Sequence, residues 1–237
     1  MINKSGSRNK SKNNITKQQN VYGKLSCSKW VFKASTKPSC LKNVSLIRGL
    51  INIYQAMINQ KITFNYVIAC LIAVLFTWIL HEFTHWATSE LLGYESIMRL
   101  NSVSPIADQN PTDWHKIYIS ASGPLITIIQ ALIVFMLLRK TWTKWLYPFL
   151  FTPFFMRFLA GGMNAMNPND EGRISEFFGL GLYTISILVS LLLFFLVYKT
   201  SKRYQLKKPF HLWTVLIILV LSSALIMADQ LFKIRII

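Results

Sequence analysis

The sequence predicts an all-α protein, a polytopic membrane-helix bundle of about five transmembrane helices. Three observations lead there. Of 237 residues, 52% are hydrophobic. Those residues fall into separate apolar runs of helix-spanning length, which a soluble domain of this size does not need. Charge is also segregated: all nine acidic residues lie at or after Glu82, and the first 61 residues hold 12 Lys or Arg and no acid.

Residues 1–43 are polar, basic and rich in Ser and Asn, and cannot bury enough apolar area to fold alone. They are expected to be a disordered cytoplasmic tail. The formal charge of +17 raises the question of nucleic acid. No stacking or groove-reading motif accompanies it, so the tail is matched instead to anionic lipid headgroups. Across 44–61, Ile47, Leu50, Ile51, Tyr54 and Ile58 recur at helical spacing opposite Asn52, Gln55 and Asn59. That pattern predicts an amphipathic interfacial helix, on the membrane surface or packed on the protein's own cytoplasmic face. Cys27, Cys40 and Cys70 form no C-x-x-C pair, so neither a disulfide framework nor a zinc ribbon is expected. The first long apolar run begins near Phe64, too late for a cleavable signal peptide.

Residues 62–237 are expected to form the transmembrane domain, with spans at about 64–92, 117–138, 145–163, 177–198 and 210–228. The third contains Pro148 and Pro153 and is read as broken or re-entrant. Residues 101–113 and Asn164–Gly172 are rich in turn formers. Arg139, Lys140 and Lys144 separate spans two and three, and Lys199, Lys202, Arg203, Lys207 and Lys208 separate spans four and five. By the positive-inside rule this puts the N-terminus in the cytoplasm, most simply of a cell-membrane protein.

The chemistry is carried by His81-Glu82-Phe83-Thr84-His85. On a helix, positions i and i+4 share a face, so the two imidazoles can hold one zinc ion. Glu82 can then act as general base on the attacking water and pass the proton to the leaving amine. The motif follows seventeen mostly apolar residues, where ionisable groups are costly and seldom present without a use. The bland alternative is a polar turn where the helix leaves the membrane. Zinc needs a third protein ligand. The acidic cluster in Asn167-Pro168-Asn169-Asp170-Glu171-Gly172 is the best supplier, with Asp170 first, Glu171 second and Glu176 third. Both acids could instead cap the following helix.

Three stretches together resemble the site-2 protease family of intramembrane zinc metalloproteases. The His81–His85 motif continues through Ala87 to Leu92-Gly93 much like that family's zinc helix. Ser122-Gly123-Pro124-Leu125 resembles its Gly-Pro motif. The Asn-Pro-x-Asp stretch ending at Asp170 resembles its distal motif, and the order along the chain agrees. Thr127 stands where the family usually has Asn, and Glu171 separates Asp170 from Gly172 where the family usually reads Asp-Gly. The resemblance implies a helical core over about Phe64 to Tyr198. It also implies an endopeptidase that cuts membrane-protein substrates and carries one Zn2+ per chain, held by His81, His85 and Asp170 with Glu82 as base. A membrane zincin of another family with a glutamate third ligand, and a non-catalytic adaptor of the same fold, are the alternatives.

Around this centre, Pro124 cannot donate to the carbonyl four residues back, which frees backbone polar groups. Gly123 and Pro124 are therefore expected to contact a substrate strand, and Asn167 is assigned to substrate binding with them. Ser120, Gly123 and Thr127 also form a small-residue stripe, read first as close helix packing. Arg157 lies in the third apolar run. Snorkelling to a headgroup is the preferred reading, and pairing with an acid near the site, or stabilising an oxyanion, is the alternative. His115 and His211 sit at span edges and are read as interfacial.

Overall fold

Residues 64–91 contain neither glycine nor proline, and in the computed structural model they form one unbroken helix, α1 (Phe64–Leu91). Residues 50, 51, 54, 60–106 and 109–237 are described. The expected tail, 1–43, lies outside them, as does most of the expected helix over 44–61. Of its apolar residues, Leu50, Ile51 and Tyr54 are helical and exposed.

Thr63 caps α1, its hydroxyl accepting from the Tyr66 N–H. Tyr66, Cys70, Val74, Thr77, Trp78, His81 and His85 are buried along one face, whereas Phe64, Ile68, Leu71, Ile72, Leu75, Phe76 and Ile79 are exposed on the other. An exposed apolar face of this length is what a lipid-bathed helix requires.

The chain then makes a short antiparallel hairpin, β1 (Ser96–Met98) and β2 (Val103–Pro105), pairing Ser96 with Pro105, Ile97 with Ser104 and Met98 with Val103. Residues 234–237 return along the other edge of β1, with Met98 N–H donating to Ile237 and Ile236 N–H donating to Met98. Trp78 Nε1 donates to Asn101 Oδ1 at 2.7 Å, which fixes the hairpin tip to α1.

Helix α2 (Asp113–Lys140) starts four residues before the expected span, with Thr112 as cap and Asp113 in its first turn, and ends on Arg139 and Lys140. Both charge placements complement the helix dipole. A single 3-10 turn, Lys144–Leu146, leads into α3 (Tyr147–Met163). The prolines do not break α3. Pro148 occupies the first turn, where no N–H is needed, and Pro153 is accommodated inside the helix.

Next come the short α4 (Asp170–Phe177), α5 (Thr184–Arg203) and α6 (Lys208–Phe232). The fourth span therefore starts at Thr184 rather than 177. Gly179 and Gly181 adopt φ values of +66° and +82°, which turn the chain between α4 and α5. Four of these helices, α1, α2, α5 and α6, are long and apolar enough to cross a membrane. The remaining expected span, α3, has 17 residues, about 26 Å of helix.

The core runs from Tyr66 and Trp78 through Leu138, Tyr147 and Leu150 to Leu193 and Ile218. Hydrogen bonds between the helices pair several of its polar groups. Tyr66 Oη meets Thr214 Oγ1 at 2.9 Å, Gln130 Nε2 donates to Thr77 Oγ1 at 2.9 Å, and Tyr147 Oη meets His211 Nδ1 at 3.0 Å. The Ser120–Gly123–Thr127 stripe is buried and packs α2 along α1.

Candidate metal centre

His81 and His85 lie well inside α1, which continues six residues past His85, so the motif is not a polar turn at a helix end. Both imidazoles are buried, with Nε2 atoms 3.0 Å apart. Asp170 is the first residue of α4 and reaches back to them. Its Oδ2 is 3.2 Å from His81 Nε2 and 3.4 Å from His85 Nε2.

The local sequence sets that reach. Asn169 caps α4, its Oδ1 accepting from the Gly172 N–H at 2.7 Å. The Asn169 N–H in turn donates to Asn164 Oδ1 at 2.8 Å, and Asn164 Nδ2 donates to Ser186 Oγ at 2.9 Å. These bonds tie the turn between α3 and α4 to α5 and aim Asp170 at α1. Capping and site formation thus coexist, through Asn169 rather than through the acids themselves.

On the opposite side, His85 Nδ1 is 2.6 Å from the Ile119 carbonyl oxygen. Nδ1–H must donate there, so the neutral ring presents the Nε2 lone pair to the centre. His81 has no such partner on Nδ1. It is held by shape instead. A Cβ on Gly123 would lie 2.2 Å from His81 Cε1 and 2.4 Å from His85 Nε2, so only glycine lets α2 approach both rings.

Arg157 corrects an expectation. Its side chain does not snorkel to a headgroup; it is buried and turned to the centre. Nη1 donates to Glu171 Oε1 at 3.1 Å and to Asp170 Oδ2 at 3.5 Å, and Nη2 lies 3.3 Å from His81 Nε2. Glu171 is thereby directed to Arg157, and Glu176 is exposed.

A cavity of about 480 Å³ opens over the centre. His81, Glu82, His85, Arg157 and Asp170 line it, with Asn101, Ser102 and Val103 of the hairpin on one wall and Ile226 and Gln230 of α6 on another. Asn167 also lines it. Gly123 sits behind the imidazoles. Pro124 is buried away from the cavity, while Ser120, whose carbonyl Pro124 cannot serve, is on its wall. The walls from the hairpin and α6 were not read from sequence, because their contribution depends on tertiary placement alone. Arg157 did carry a signal, as the one cation in its apolar run. His115 pairs with Tyr94 Oη at 2.7 Å and His211 with Tyr147, and neither reaches the centre.

Compared with known proteins, the chain matches no family model, no curated protein and no solved structure. The fit to a metal therefore rests on the residues. Among the described residues, His81, His85 and Asp170 are the group whose ligand atoms lie close enough, all within 4.8 Å of one another, to share an ion. A tetrahedral zinc with bonds of about 2.0–2.1 Å holds its ligand atoms about 3.3–3.4 Å apart. The observed separations of 3.0, 3.2 and 3.4 Å bracket that spacing. Two imidazole nitrogens, one with its tautomer fixed by a carbonyl, and one anionic oxygen are a donor set suited to zinc.

Proposed function

We propose that this membrane protein is a zinc-dependent intramembrane endopeptidase of the site-2 protease type, hydrolysing peptide bonds of membrane-protein substrates. The observation that carries this reading is the convergence of His81 Nε2, His85 Nε2 and Asp170 Oδ2 in a cavity that Glu82 also lines. One zinc per chain, held by His81, His85 and Asp170, would lower the pKa of a coordinated water and polarise the scissile carbonyl. Asp170 is favoured over Glu171 as third ligand because Arg157 already engages Glu171. That also weighs against a zincin with a glutamate ligand.

Glu82 takes the proton from the attacking water as the C–O bond forms. It then delivers that proton to the amine nitrogen as the C–N bond breaks. The products are one carboxylic acid and one amine, and Glu82 ends as it began. Asn167, the Ser120 wall and the hairpin residues Asn101 to Val103 offer polar groups to an extended substrate backbone. The buried position of the centre among apolar helices supports a substrate that is itself a membrane segment. The charge pattern supports a cell-membrane location with the N-terminus cytoplasmic and the basic tail against anionic lipid.

The test is proteolysis. Detergent-purified protein is incubated with a panel of fluorogenic peptides carrying transmembrane sequences, with and without a zinc chelator. Chelator-sensitive cleavage by wild type that falls by on the order of 100-fold or more in Glu82→Gln supports the proposal. Equal cleavage by wild type and Glu82→Gln contradicts it.

A further inference from the structure

Arg157 has more donors than the fold uses. A guanidinium carries five N–H groups and stays charged under all ordinary conditions. In this protein Nη1 serves Glu171 and Asp170, and Nη2 faces His81. Nε is buried with no partner. The side chain is 3% exposed yet lines the cavity over the centre. Glu171, at 1% exposure, is also short of partners: its Oε1 accepts from Arg157 and its Oε2 accepts from nothing. A pair that served only to lock α3 to α4 would need neither the cavity wall nor the contact with His81.

We propose that Arg157 is a catalytic residue that donates to the oxyanion developing on the scissile carbonyl, and that Glu171 is the positioning residue that holds it. The assignment rests on the endopeptidase reading. As water attacks, the carbonyl π pair moves onto oxygen and Glu82 receives the water's proton. Collapse of that oxyanion re-forms the carbonyl and expels the amine with the proton from Glu82. Charge appears on the oxygen only between these events. A fixed guanidinium beside the carbonyl stabilises that stage more than the ground state. The position also explains why Glu171 intervenes between Asp170 and Gly172: successive residues of one turn present one carboxylate to the imidazoles and the next to Arg157.

The test compares two zinc-directed probes on the detergent-purified full chain. One is N-phosphoryl-Leu-Trp, a tetrahedral anion that imitates the oxyanion. The other is Leu-Trp hydroxamate, which is planar. Zinc content and both affinities are measured for wild type, Arg157→Met, Arg157→Lys and Glu171→Gln. In Arg157→Met the phosphoryl probe is expected to bind on the order of 100-fold more weakly, with hydroxamate affinity and zinc content unchanged. Glu171→Gln shows the same selectivity at smaller size. Arg157→Lys keeps the charge and loses the fork, falls between, and carries the comparison if Arg157→Met does not fold. Equal weakening of both probes, no change in either, or loss of zinc from the Arg157 variants overturns the role of Arg157 alone. Wild type that binds zinc and neither probe overturns it as well. Wild type that holds no zinc overturns the endopeptidase reading and this assignment with it.

Discussion

The Cα of Gly123 faces the two imidazoles of α1 so closely that a methyl group there would fall 2.2 Å from His81 Cε1. Gly123→Ala therefore has to move a ring, the helix, or both. Zinc affinity is expected to fall on the order of 10–100-fold, the range seen when a ligand's supporting contact is lost. Competition with a chromogenic chelator measures it, and circular dichroism checks that the helices persist. Unchanged affinity would mean that the rings are not held by this contact.

Asn164 acts at a distance from the centre. Its Oδ1 accepts the Asn169 N–H and its Nδ2 reaches Ser186. Asn164→Ala leaves a backbone N–H without its partner, at a cost of about 1–3 kcal/mol. It also loosens the turn that aims Asp170. Both a lower thermal midpoint in detergent and weaker zinc binding are expected. Asn164→Asp keeps the Oδ1 acceptor and should recover part of the zinc affinity.

Gln130 tests the bundle apart from the centre. It donates to Thr77 Oγ1 and to the Phe149 carbonyl, joining α2 to α1 and α3. Gln130→Ala is expected to cost about 1 kcal/mol of stability in detergent and to leave zinc content unchanged. A coupled loss of zinc would show that the centre senses the packing of these helices.

The legible and illegible parts of this protein divide along physical lines. The His81–His85 pair was legible because helical periodicity alone puts i and i+4 on one face. The third member of the group was ranked within a cluster, Asp170 ahead of Glu171 and Glu176, with no periodicity to decide between them. Asp170 and Glu171 are neighbours of the same type, and only the direction of the first turn of α4 separates the one beside the imidazoles from the one beside Arg157. Gly179 and Gly181 marked a turn, but Phe177, Phe178 and Leu180 around them kept the run apolar and hid it inside the fourth span. The hairpin strands have three residues each, too few for an alternating pattern to register. In α3 the prolines suggested a break, yet Pro148 stands where a helix tolerates it. For Arg157 the sequence exposed the cost of a cation in an apolar run without revealing the acid that offsets it.

The most direct measurement is the zinc content of the detergent-purified chain, wild type against His81→Ala, Asp170→Ala, Glu171→Ala and Glu82→Gln. About one zinc per chain in wild type, Glu82→Gln and Glu171→Ala, and little in His81→Ala and Asp170→Ala, is the expected result. No zinc in folded wild type, or zinc lost with Glu171 and kept without Asp170, would contradict the centre described.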